Sequence, residues 1–177
     1  MNLPNRLTVA RVALVAVFVP LLMTEHYLAS VIVFIVASLT DLLDGYLARK
    51  NHLITNFGKF MDPIADKLLV LSALIGLCAL VRIHYLIVLV SVAREIIISG
   101  IRMLAASKGN VIAAGVWGKL KTWTQMLGVI GRLLSLTDAF AFLYIPSEIL
   151  LWASVVLSVW SCADYVYKAR EVFSDGL

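Results

Sequence analysis

Charge is scarce in this chain. Lys and Arg number 15 and Asp and Glu 11 among 177 residues, 15% together, where a soluble domain keeps about a quarter of its residues charged. An ordinary water-exposed fold is therefore excluded. Cysteine is rarer still: Cys78 and Cys162 both lie in apolar runs without ligand spacing, which argues against a disulfide framework or a thiolate metal site and leaves two buried thiols. His26, His52 and His84 share no ligand spacing either, so histidine supplies no metal centre. Internal repeats and low-complexity tracts are absent. The formal charge of +4 is carried by bases spread over membrane-edge loops with no aromatic-studded groove, so anionic lipid headgroups, not nucleic acid, are the expected partner.

What is present is apolar: 62% of residues are hydrophobic. At about 20 residues per span, the chain accommodates roughly six helices and leaves almost nothing for a soluble domain. The reading is an all-α integral membrane protein, a bundle of about six transmembrane helices forming one domain over residues 1–177. The expected spans cover residues 7–23, 27–50, 62–81, 85–106, 118–134 and 148–167, with an outer loop at 136–145. Arg6 and Arg11 before an apolar stretch imitate a signal peptide, but a small-x-small cleavage site is missing, so the stretch reads as a retained span. Arg11 either snorkels to headgroups or contacts a phosphate. Arg6, Arg49, Lys50, Lys59, Lys108, Lys119, Lys121, Lys168 and Arg170 flank one side, against Arg82 and Arg132 on the other. That asymmetry puts both termini in the cytoplasm of a multi-pass cell-membrane protein.

One stretch runs against the apolar character. Asp41, Asp44, Asp62 and Asp66 crowd within 26 residues together with Gly45, Ala48 and Gly58, although each ionised side chain at mid-membrane costs roughly 2.5–3.5 kcal/mol. Asp41 and Asp44 are three apart and Asp62 and Asp66 four apart, so each pair shares a helix face. Pro63 is expected in a first turn, with Asp62 at the cap and its relation to Asp66 imperfect. Antiparallel helices joined by a short link bring the pairs together at the cytoplasmic end. Four close anions cannot all ionise unpartnered, and hard oxygen donors select Mg²⁺, Mn²⁺ or Ca²⁺. Divalent ions beside arginines and lysines suit a phosphorylated substrate, and a membrane location suits one with acyl chains. Phosphoryl-group transfer in a membrane is the chemistry this implies.

The pattern D-x2-D-G-x2-A-R-x8-G-x3-D-x3-D, complete in Asp41, Asp44, Gly45, Ala48, Arg49, Gly58, Asp62 and Asp66, resembles the signature of the CDP-alcohol phosphotransferase family. The resemblance implies displacement of CMP from a CDP-linked lipid by an alcohol, with two divalent metal ions, Mg²⁺ or Mn²⁺, on the four aspartates. Asp66 is then also the general base, and Gly45, Ala48, Arg49, Gly58 and, more weakly, Thr40 line the cytidine-diphosphate pocket. It further implies a homodimer. The N-terminal run 2–11, the run from Ala93 to Arg102 and Gly118-Lys119-Leu120-Lys121-Thr122 resemble the bacterial branch that joins CDP-diacylglycerol to sn-glycerol 3-phosphate. An acceptor that itself bears a phosphate needs extra cations, and Arg94, Arg102, Lys119 and Lys121, with Arg11, are the candidates.

Other readings stay open at this point. Glu95 could simply neutralise an arginine, and Lys121 could anchor headgroups. A related synthase could take inositol phosphate or serine, and a cation transporter would also use membrane acids, though spread through the depth of the bilayer. Gly128 and Gly131 permit close packing within the chain or between chains.

Overall fold

The computed structural model describes residues 3–50, 56–107 and 115–170, with side chains at 7–40, 61, 64–65, 67–107 and 115–170. Among the described residues the protein is all-helical. Helices α1 (Leu3–Met23), α2 (Tyr27–Lys50), α3 (Asn56–Ala79), α4 (Tyr85–Ser107), α5 (Val116–Leu134) and α6 (Tyr144–Lys168) follow one another, with a 3₁₀ turn at Asp138–Leu143. Helix α1 packs on α2 and α3, α5 packs on α6 and α2, and α4 packs on α6 and α3.

The apolar core follows helical spacing. Val15, Phe18 and Leu22 of α1 meet Phe34 and Ala37 of α2 and Ala73, Leu74 and Leu77 of α3, and the cluster continues to Val129, Leu133 and Leu151. Phe18 and Phe34 stack tilted, with ring centroids 5.7 Å apart. Helix α6 buries a different kind of face: Ser147, Leu151, Ser154, Ser158, Ser161 and Tyr165 point inward. Each of these serines donates to a carbonyl of its own helix, as Ser154 does to Leu151 and Ser158 to Ser154, both at 2.7 Å. The stripe is thus small and internally satisfied, and the α5 backbone can approach closely. On the opposite face Ile149, Val156, Val159, Trp160 and Val166 are exposed. Apolar outside and small-polar inside is the pattern of a helix solvated by lipid.

Asp138–Lys168 is, among the described residues, the helical stretch long and apolar enough to cross a membrane, and shorter apolar helices occupy Leu7–Met23, Tyr27–Thr40 and Lys67–Ala79. Helices α4 and α5 are interrupted by Arg94, Glu95 and Arg102 and by Lys119, Lys121 and Arg132.

Three expected starts move, and the first is that of α1, which begins at Leu3 instead of near Leu7 and so takes Pro4 into its first turn. Helix α3 begins at Asn56, so Pro63 lies in its interior and the backbone is helical from before Asp62 through Asp66. A proline in a helix interior costs about 3 kcal/mol, but α1 likewise runs through Pro20; helices packed against neighbours tolerate the lost bond. Helix α6 begins at Tyr144, placing Pro146 in its first turn, where the missing N–H is harmless. The turn into α4 passes through Val81 at φ 56°, with the Arg82 N–H donating to the Leu77 carbonyl at 2.8 Å. His84 then receives the Leu86 N–H on Nδ1 at 3.3 Å, capping α4.

Candidate active site

Helix α4 places Arg94 and Glu95 at its middle and Arg102 two turns on. Around them α3, α4 and α5 enclose a cavity of about 210 Å³ whose polar lining includes Lys67, Arg94, Glu95, Arg102, Lys119 and Lys121. Among the described residues the lining thus sets these five cations against one carboxylate. Glu95 Oε1 accepts from Arg94 Nη1 at 2.7 Å and from Lys121 Nζ at 3.0 Å, and Oε2 lies 3.5 Å from Lys67 Nζ. Lys67 also donates to Ser99 Oγ at 2.6 Å.

A second polar bridge sits one helical turn from the first. Gln125 Nε2 donates to Ser91 Oγ at 2.7 Å, so α4 and α5 are joined by Lys121–Glu95 and Gln125–Ser91 across the cavity. Lys121 and Gln125 are buried, at 3% and 2% exposure. Helix α6 supports the site from behind. Ser161 Oγ lies 3.4 Å from Arg94 Nε and Nη2, and Arg102 Nε donates to the Tyr165 hydroxyl at 2.9 Å while its guanidinium lies 5.4 Å from that ring's centre. Gly118 lies where α5 passes close to Arg94, and a Cβ there would meet Nη2 at 3.0 Å.

Such an arrangement suits an anion. Among the described residues three of the cations share one carboxylate and positive charge is in excess, and Arg102 and Lys119 keep exposed positions at the rim.

Of the expected phosphate-binding residues, Arg94, Arg102, Lys119 and Lys121 come together in this cavity. The pairing of Glu95 with Arg94 is present, yet the same carboxylate also holds Lys121. Lys121 is therefore turned into the protein, not out to headgroups. Arg11 is fully buried on α1, which corrects the snorkelling expectation, and it does not line the cavity. The Thr40 hydroxyl donates to the Ala37 carbonyl at 2.7 Å. Asp41, Asp44, Gly45, Ala48 and Arg49 fall in α2, and Gly58, Asp62 and Asp66 in α3; their side chains lie outside the described residues. Sequence reasoning missed Lys67, Gln125, Ser161 and Tyr165. Lys67 had a signal, a cation directly after Asp66 in an apolar helix; the others become visible only when α5 and α6 pack.

The model of the CDP-alcohol phosphatidyltransferase family matches residues 1–160. The chain is 40% identical over 186 residues to the CDP-diacylglycerol–glycerol-3-phosphate 3-phosphatidyltransferase of Bacillus subtilis, covering 96% of each chain. It is 36% identical to the protein of the same name from Haemophilus influenzae, covering 99% of this chain and 97% of the other. Another relative of that name, from Arabidopsis thaliana, is 39% identical over 97% of this chain and 81% of its own. The chain belongs to the CDP-alcohol phosphatidyltransferase family.

Proposed function

We propose that this protein transfers the phosphatidyl group of CDP-diacylglycerol to sn-glycerol 3-phosphate, giving phosphatidylglycerol phosphate and CMP. The relatives' names support that reaction, and one structural observation carries it to this chain. The cation-lined cavity includes Lys67, the residue directly after Asp66 on α3, so an anion-binding space adjoins the helix that bears the second half of the signature. An acceptor phosphate seated among Arg94, Arg102, Lys119 and Lys121 would bring its hydroxyl toward the donor. The hydroxyl oxygen bonds to the phosphorus that carries diacylglycerol, the P–O bond to CMP breaks, and Asp66 takes the hydroxyl proton. Gly45, Ala48, Arg49, Gly58 and Thr40 are assigned to the cytidine-diphosphate moiety. Arg11, buried where α1 packs on α2 and α3, is assigned to the lipid phosphate.

Asp41, Asp44, Asp62 and Asp66 would hold two divalent ions, Mg²⁺ or Mn²⁺. The donors fit, being hard oxygens three apart on a continuous α2 and four apart on a continuous α3. When bound, the ions would neutralise charge building on the departing CMP. The proposal includes a single six-span domain over residues 1–177 in the cell membrane, both termini and the site toward the cytoplasm, and a homodimer.

The test is CMP release by the detergent-purified protein from CDP-diacylglycerol, with glycerol 3-phosphate, inositol 1-phosphate and serine offered in parallel. Release should require glycerol 3-phosphate, vanish with chelator, return with Mg²⁺ or Mn²⁺, and be lost in Asp66→Asn. Stimulation by another acceptor alone would overturn the substrate assignment, and release indifferent to chelator would remove the metals.

A further inference from the structure

Glu95 is the one acidic side chain lining the cavity among its described residues, and it sits where an anionic substrate would be repelled. A carboxylate has two oxygens and about four acceptor sites, so one residue can hold several cations in place. This one accepts from Arg94 of its own helix and Lys121 of α5 on one oxygen and faces Lys67 of α3 with the other, at the wall of an open cavity.

We infer that Glu95 is a positioning residue for the acceptor phosphate, holding Arg94, Lys121 and Lys67 from three helices in one constellation while Arg102 and Lys119 at the rim receive the anion. The inference rests on the proposed reaction and deepens it. Cations this close repel one another, and Lys121, almost wholly buried, donates to Glu95. Remove the carboxylate charge and Lys121 loses the contact that justifies its burial, so it withdraws from its place in the wall. Lys67 keeps Ser99, and Arg94 keeps Ser161. The damage therefore centres on Lys121. Glu95 touches no reacting atom in this account; it acts through the cations it places.

The variant that isolates the charge is Glu95→Gln, the same shape without the anion. Its KM for glycerol 3-phosphate should rise about tenfold or more while the KM for CDP-diacylglycerol stays within about twofold. Lys121→Met should raise the same constant, and adding Glu95→Gln to it should cost little more, because the two act in one chain of contacts. Titration of the detergent-purified protein with inorganic phosphate reads the same loss of anion affinity without turnover. Several results would overturn the assignment: an unchanged or lower acceptor KM in Glu95→Gln, equal shifts for both substrates with a lowered melting temperature, or losses that multiply in the double variant. Failure of the wild-type protein to respond to glycerol 3-phosphate would instead sink the proposed reaction, and the phosphate titration would still decide the role of Glu95.

Discussion

Arg102 lies at the rim of the cavity, exposed, and the only described groups that orient it belong to Tyr165. The hydroxyl accepts from Nε and the ring lies beneath the guanidinium, so one residue of α6 constrains both the direction and the height of a cation on α4. Tyr165→Phe keeps the ring and removes the acceptor. A hydrogen bond to a charged group contributes about 1.5–3 kcal/mol when buried and less at an exposed rim; an effect near 1 kcal/mol corresponds to roughly fivefold. The KM for glycerol 3-phosphate should rise by about that factor with kcat nearly unchanged, as steady-state CMP release would measure. An unaltered KM would mean that Arg102 needs no orienting partner. Arg94, Arg102, Lys119 and Lys121 were legible in the sequence because a charge in an apolar helix is expensive and therefore conspicuous. Tyr165 and Ser161 were not, since an aromatic or a serine in α6 costs nothing by itself. The shared use of Glu95 was equally hidden, because its partners on α3 and α5 are brought to it by packing.

At the scale of elements, the seam between α5 and α6 governs how the rear wall of the site is held. Gly128 faces Leu151 and Gly131 faces Ser147, so these glycines serve contact within the chain. A Cβ on Gly128 would lie 3.0 Å from Leu151 side-chain carbons and 3.2 Å from its backbone nitrogen, which cannot swing aside. Gly128→Val should therefore destabilise the protein by about 1–3 kcal/mol, seen as a lower midpoint in SDS-induced unfolding. Gly100→Ala is the contrast. Among the described residues nothing lies within 4 Å of the added carbon, and alanine is the better helix former by about 1 kcal/mol; stability should hold or rise. Equal losses in both would mean that helix backbone effects, not the seam, dominate. Helix number and most boundaries could be read from apolar runs and their charged ends, with α2 found at the expected residues 27–50. The start of α3 could not, because the local bias of Pro63 points one way and the packing of α3 on α1 decides the other.

For the whole molecule the question is which compartment the cation-lined cavity faces. Helices joined by short turns alternate direction, so the cavity end of α4 and the turn between α3 and α4 lie on opposite sides if each helix crosses the bilayer. Arg82 marks that turn. Arg132, the other base counted on the outer side, is fully buried, ion-paired with Glu148 and stacked 4.0 Å over the Tyr144 ring. It therefore presents no free charge to the outer surface. Val81, 88% exposed in the turn, and Ser107, exposed at the end of α4, report the two sides. In a background with Cys78 and Cys162 replaced by alanine, Val81→Cys in intact cells should react with a membrane-impermeant maleimide. Ser107→Cys should react only after permeabilisation. The reverse pattern would turn the cavity outward, away from any cytoplasmic supply of nucleotide-linked lipid, and the proposed orientation would fall with it. Labelling of both sites in intact cells would break the alternation itself and with it the six-span arrangement.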